Sequence, residues 1–389
     1  MGRVPQNPVT HSRLLLELSV MFPPSPSSSS DFSIDAYDYE LPEERIAQNP
    51  VEPRDSARLL VLESPTTHSH QIFRDLPAFL KPGDLLVLND TRVLPARLYG
   101  QKPSGAAVEV LLLEEVGNRR WLALVKPGKR LKPGAEIIFL PNSQVGNRQM
   151  GEFRARVVAS DDDTGGRVLE FQLPTSENFS DVLERYGHVP LPPYVTQSQA
   201  DPRQYQTVYA REARSAAAPT AGLHFTEALL EQLADRGIDR AFVTLHVGVG
   251  TFRPVEVSDI TQHTMHEEWV SVPEATVAAI RETRQRGGRV IAVGTTAVRS
   301  LESAALDGSI EPFCGKTDLF IYPGYHWRVI DGLITNFHLP KSSLLMLVSA
   351  LVGRKRLLQL YQEAILNEYR FFSFGDAMLV LPTAKVEDL

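Results

Sequence analysis

Two histidines stand in loops built almost wholly from small residues, and there this sequence is best equipped for chemistry. Between Arg211 and Val257 runs REARSAAAPTAGLHFTEALLEQLADRGIDRAFVTLHVGVGTFRPVEV. The first loop ends on His224 and the second begins at His246. Glycine lets a ligand approach the backbone closely, and the strand ends of α/β proteins are where ligands usually bind. The stretch therefore reads as the floor of a pocket. The plainer reading is two tight connections with one core histidine each.

Four other segments carry chemistry-bearing side chains. Gly294-Thr295-Thr296-Ala297-Val298-Arg299 is a strand–loop–helix junction, and backbone N–H groups at a helix start bind phosphate or carboxylate. It is neither a dinucleotide fingerprint nor a P-loop, so no nucleotide specificity follows. His263-Thr-Met-His266-Glu-Glu268 gathers two imidazoles and a carboxylate, but without a Cys pair or HExxH it reads as a solvated turn or acid/base group before a metal site. Asn336-Phe-His338-Leu-Pro-Lys341 precedes a capped helix, whose positive end favours neutral imidazole. Asn89-Asp90-Thr-Arg92-Val-Leu-Pro-Ala-Arg97 joins two segments of different texture. It is either a ligand-bearing cleft or a hinge knitted by salt bridges.

The elements that must position these groups can be read from pattern. Thr226 caps a helix from Thr226 to Arg236, Gly237 ends it, and Asp239 to Leu245 is a buried strand. Arg58–Leu62 and the run before Asn89 are further strands. Pro273 to Gly287 is a helix, Arg289–Val293 a strand, and Ala297–Leu306 a helix. A serine, Ser342 or Ser343, caps an apolar helix over Leu344–Val352. That helix runs into Arg354-Lys-Arg, which suits either its negative end or a phosphate.

From about Thr91 to Pro174 the texture changes to short β-type runs. They are Val93–Leu98, Val108–Leu113, Trp121–Val125, Glu136–Leu140, Phe153–Val158 and Val168–Leu173. Such spacing without helical pattern predicts a small barrel or sandwich. The fold class expected is α/β: a discontinuous α/β domain (31–90 and 178–389) with an inserted all-β barrel domain (91–177). Residues 1–30 read as a disordered extension, with Met21 an alternative start. In the barrel, Lys126, Lys129, Arg130 and Lys132 fall within seven residues, and Arg154 and Arg156 share one strand face. A basic barrel face suits a nucleic-acid backbone, although a merely solvated face is the default.

Composition narrows the class. A net charge of −7 argues against a general polyanion binder but permits a local basic patch. The single cysteine, Cys314, excludes an internal disulfide and fits a reducing, cytoplasmic setting. No apolar run is long enough to span a membrane. No coiled-coil or dimer helix is evident, so a monomer is expected.

Taken in order, a series of motifs makes the chain resemble the S-adenosylmethionine:tRNA ribosyltransferase-isomerases of queuosine biosynthesis. Among them are Leu88-Asn-Asp-Thr-Arg-Val-Leu-Pro-Ala-Arg-Leu, Ala218-Pro-Thr-Ala-Gly-Leu-His-Phe-Thr and Leu245-His-Val-Gly-Val-Gly-Thr-Phe-Arg-Pro-Val. Val293-Gly-Thr-Thr-Ala-Val-Arg-Ser-Leu-Glu, Thr335-Asn-Phe-His-Leu-Pro-Lys-Ser and Tyr369-Arg-Phe-Phe-Ser-Phe-Gly-Asp-Ala follow. The resemblance covers Asp31 to the end. It implies an α/β domain with an inserted barrel, and it implies a reaction. S-adenosylmethionine is consumed as a ribosyl donor, and its ribosyl unit goes to the aminomethyl group of 7-aminomethyl-7-deazaguanine at the tRNA wobble position. The product is epoxyqueuosine, with adenine and methionine released and no metal expected.

Such a reaction makes demands on residues. A base must take the acidic hydrogen beside the sulfonium, and an acid must help adenine leave. His224 and His246 are the expected proton-transfer groups, with His266 and His338 in reserve. Phe225, Phe252 and Glu268 are candidates for the sulfonium. Thr295, Thr296 and Arg299 are candidates for the methionine carboxylate. Thr220, Gly222, Gly248, Gly250 and Thr251 line the same expected pocket, and Asn89, Asp90, Arg92 and Arg97 bound the cleft. The competing readings are a tRNA methyltransferase and a non-catalytic tRNA-binding protein. A methyltransferase-type glycine-rich loop after an early strand is missing, and the histidine-bearing loops argue against a passive binder.

Overall fold

The computed structural model describes residues 29–141, 153–161, 164–173, 178–192, 194–248 and 255–386. Gly250, Thr251, Phe252, the expected N-terminal extension (all but its last two residues) and the Asn142–Met150 loop lie outside the described residues.

A nine-stranded mixed sheet organises the larger part of the chain. Its order is Phe313–Thr317, Glu268–Val272, Asp239–His246, Leu85–Asn89, Val290–Val293, Gly332–Asn336, Ala377–Val380, Arg58–Leu62 and His68–Ile72. The four strands from Asp239–His246 to Gly332–Asn336 run parallel. Leu85, Val87, Val290 and Ala292 enter one core, while Leu86, Leu88, Ile291 and Val293 enter the other. Strands buried on both faces are near-continuously apolar, which is why these runs do not alternate with polar residues. The helix Glu227–Asp235 covers one face through Leu229, Leu230 and Leu233. The helices Glu274–Gln285, Thr295–Ser303, Ser343–Val352 and Arg354–Leu366 cover the other.

Between the parallel neighbours Leu85–Asn89 and Asp239–His246 the chain inserts a barrel. Arg97–Gln101, Ala107–Gly117, Arg120–Lys126, Arg167–Gln172, Phe153–Ser160 and Glu136–Phe139 pair antiparallel in that order, and the first and last close the ring. Gly187–His188 adds an edge strand to Arg97–Gln101. Phe139, Phe153, Phe171 and Leu169 fill the interior, and the helix Phe179–Tyr186 packs Val182, Leu183 and Tyr186 onto them.

Three expectations need correction. The run Val93–Leu98 is not one strand: Thr91–Val93 pairs in parallel with Glu212–Ser215, and the barrel strand begins only at Arg97. Pro95 lies between the two pieces and has no N–H to give a ladder. The helix expected over Ala297–Leu306 spans Thr295–Ser303, because Gly294 at φ +89° turns the chain directly into it. Arg354-Lys-Arg does not end the apolar helix either. Gly353, at φ +83°, breaks the chain, and the triplet opens the next helix, where Arg354 Nε donates to Asp31 Oδ1 at 2.6 Å.

Candidate active site

A cavity of about 280 Å³ opens at the carboxyl ends of three parallel strands. Val247 follows the first strand, Gly294, Thr295 and Thr296 the second, and Asn336 to Leu339 the third. By this measure a single water needs only about 10–15 Å³, so the space is far larger than one ordered water fills. Ala217 to Ala221 form another wall, and Tyr194, Phe372 and Ser373 close the last side. Tyr194 and Phe372 stack with centroids 4.6 Å apart.

Of the histidines put forward from sequence, His338 lines this cavity. Its Nε2 lies 2.9 Å from Thr335 Oγ1, its backbone N–H donates to Tyr361 Oη at 3.0 Å, and its carbonyl accepts from the Tyr39 hydroxyl. Burial pushes its pKa down to about 3, so the ring is neutral near pH 7. The expected cause was a helix dipole; desolvation is the cause found.

His224 lies one layer deeper. Its ring packs 4.9 Å from that of Phe73, and burial, helped by Arg370 and Arg54, pushes its pKa down to about 3. It reaches the cavity through Asn336. Asn336 Nδ2 donates to His224 Nε2 at 3.3 Å and to the Phe372 carbonyl at 3.1 Å, while Thr220 Oγ1 donates to Asn336 Oδ1 at 3.1 Å. An amide N–H needs an unprotonated ring nitrogen, so His224 carries its proton on Nδ1. Thr220, Asn336 and His224 thus form one oriented chain from cavity wall to core.

His246 and His266 stand elsewhere. His246 ends its strand, accepts or donates at Nδ1 with Thr91 Oγ1 at 2.9 Å, and stacks on Trp269. Its pKa is pushed down to about 4, chiefly by desolvation and then by Arg214. His266 is exposed, and beside it half-buried His263 is also shifted down by desolvation.

The charged candidates are committed to one another. Arg299 pairs with Glu268 inside the protein, their side chains only 4% and 2% exposed. Arg299 Nε also donates to the Leu319 carbonyl at 3.0 Å, and Glu268 Oε1 accepts from the Gly248 N–H at 3.1 Å. These groups hold the backbone at Gly248 and are not among the residues lining the cavity. Phe225 is core, packed edge-on to Phe73. Gly222 is required sterically, since a Cβ there would sit 2.0 Å from Tyr209 Oη.

The segment Asn89 to Arg97 is knitted as a hinge. Asn89 bonds both the N–H and the carbonyl of Leu245, and Asp90 Oδ1 accepts from Thr244 Oγ1 at 2.7 Å. Arg92 pairs with Glu184 at 2.8 Å and Arg97 with Glu109 at 3.6 Å. Lys126, Lys129, Arg130 and Lys132 are exposed around the turn Gly128–Arg130, and Lys102 Nζ donates to the Arg130 carbonyl at 3.2 Å. Arg154 and Arg156 alternate with buried Phe153, Ala155 and Val157, and Arg156 lies 3.7 Å from Glu136.

A model of the family described as queuosine biosynthesis protein matches residues 34–380. The chain belongs to that family. It is 61% identical over 373 residues to the S-adenosylmethionine:tRNA ribosyltransferase-isomerase of a Nostoc species, covering 91% of this chain and 93% of the relative. The protein of the same name from Symbiobacterium thermophilum is 53% identical over 348 residues, covering 89% and 98%. The crystal structure of S-adenosylmethionine tRNA ribosyltransferase from Thermotoga maritima is 41% identical, with a TM-score of 0.51. It covers 89% of this chain and all of that one.

Asn336, Tyr194, Phe372 and Ser373 were missed as site residues. Asn336 had a signal: a polar amide ending an apolar strand two residues before a histidine. A further cluster, His68, His70 and Glu363, brings three ligand atoms within 4.8 Å of one another outside the cavity lining. It is satisfied internally, with both imidazole Nε2 atoms on Glu363 Oε1 at 2.8 and 3.0 Å.

Proposed function

We propose that this chain transfers and isomerises the ribosyl unit of S-adenosylmethionine onto the aminomethyl group of 7-aminomethyl-7-deazaguanine at the tRNA wobble position. Epoxyqueuosine-tRNA forms, and adenine and methionine leave. The observation that carries this reading is the cavity at the carboxyl ends of the parallel strands, with a neutral imidazole in its wall, in a chain of this family.

A sulfonium makes the adjacent C5′ hydrogens acidic, and a base must meet them unprotonated. His338 lines the cavity in that state, so we assign it the proton at C5′. The N-terminus of the helix Thr295–Ser303, with the partnerless buried Thr296 Oγ1, suits the methionine carboxylate. The aromatic pair Tyr194 and Phe372 offers a π face to adenine or sulfonium. His224 acts as a positioning residue, holding Asn336 and through it Thr220. The exposed cations Lys126, Lys129, Arg130 and Lys132, with Arg154 and Arg156, suit tRNA phosphates.

Residues 91–177 are read as the inserted RNA-facing unit, extended to His188 because the helix Phe179–Tyr186 packs on the barrel. Among the described residues no helix is long and apolar enough to cross a membrane, and we read the protein as a cytoplasmic monomer. Incubating it with S-adenosylmethionine and anticodon stem-loop RNA containing the deazaguanine tests the reading. Mass spectrometry should find ribosylated RNA and free adenine; S-adenosylhomocysteine, or no turnover, would overturn it.

A further inference from the structure

We propose that the stacked pair of His246 and Trp269 is a nucleobase platform, which takes an unpaired base of the RNA substrate one residue from the cavity lining. The proposal rests on the reading that RNA is the ribosyl acceptor. His246 and Trp269 face each other across the ladder between Asp239–His246 and Glu268–Val272. Their rings lie 5.0 Å apart and 14° from parallel. Thr91 fixes the imidazole through Nδ1, so the pair is oriented before any ligand arrives. Val247, the next residue, lines the cavity.

Trp269 is 36% exposed on a sheet whose central apolar residues are almost wholly buried. An indole left in water at that position wants a flat apolar partner. Burial keeps His246 neutral near pH 7, so the pair presents a π surface without a competing cation. Cations flank it. Arg214 is exposed and close enough to act on the His246 charge, and Lys316 stands opposite Trp269 on the neighbouring strand, paired with Glu267 at 3.2 Å and within reach of Glu114. An aromatic face bordered by basic side chains is what single-stranded RNA uses, the base stacking and the phosphates meeting the charge. Stacking tolerates any base, so the platform distinguishes loop from duplex rather than one base from another.

The test compares an RNA hairpin carrying an unmodified anticodon loop with a blunt RNA duplex. Wild-type protein should prefer the hairpin, and its tryptophan fluorescence should be quenched on binding. Trp269→Ala should weaken hairpin binding on the order of 10-fold and erase the preference, whereas Trp269→Phe should keep affinity and lose the quench. S-adenosylmethionine binding and the thermal midpoint should be unchanged in both variants. Wild-type affinity in Trp269→Ala, with RNA binding intact, overturns the platform alone. Failure of the wild type to bind either RNA while it binds S-adenosylmethionine overturns the platform and the acceptor reading together.

Discussion

Lowering the pH from 7.5 to 5 should cost the fold about 4 kcal/mol through two buried imidazoles, those of His224 and His338. Both are pushed down to about 3 in the folded protein, against 6.5 when exposed. Between those values the unfolded chain binds protons that the folded chain refuses, so stability falls as pH falls. At pH 5 each group contributes about 2 kcal/mol of that loss, a large share of a stability of about 5–15 kcal/mol. His246 acts in the same direction but is partly exposed, so it is left out of the sum. Asp90, shifted up by its burial, acts the opposite way, but one carboxyl does not cancel two imidazoles. The assay is urea unfolding followed by circular dichroism at both pH values. His224→Phe keeps a ring against Phe73 but has no proton to gain, so its pH-linked loss should shrink by about 2 kcal/mol. Equal pH dependence in wild type and His224→Phe would refute the reasoning.

Arg299→Met should lower stability by about 3–5 kcal/mol in urea unfolding, because it leaves the Glu268 carboxylate buried without its counter-charge. Replacing both partners, as Glu268→Gln with Arg299→Met, should cost less than that single change. Gly222→Ala drives a methyl group to 2.0 Å from Tyr209 Oη and should cost about 1–3 kcal/mol, read as a lower thermal midpoint. An unchanged midpoint would contradict that contact. Thr296→Val keeps shape but removes the hydroxyl proposed for the carboxylate, and should weaken S-adenosylmethionine binding about 10-fold by calorimetry with the midpoint unchanged.

Local chemistry made much of the fold legible. Thr226 caps the helix Glu227–Asp235 by accepting from the Leu229 N–H, and Gly237, at φ +73°, follows its end, as capping rules require. The six β-type runs between Val93 and Leu173 all correspond to barrel strands, although the first begins late, past Pro95. The site was legible only as loops. Sequence placed His224 and His246 in loops of small residues and His338 just before a capped helix, but which side of the sheet each imidazole meets depends on partners far away. His224 finds Asn336 across 112 residues of chain. Glu268 and Arg299 illustrate the same limit: each read alone suits a charged ligand, and only the fold brings them to each other. Phe225 suited a sulfonium as an aromatic face beside His224, yet the core claimed it through Phe73.

The central claim is that the cavity around His338 holds the ribosyl donor. A crystal structure of the protein with S-adenosylmethionine tests it most directly. The account predicts the methionine carboxylate at the Thr295 and Thr296 end of its helix and the ribose C5′ in contact with the His338 imidazole. S-adenosylmethionine bound elsewhere, or with C5′ turned away from His338, would contradict it.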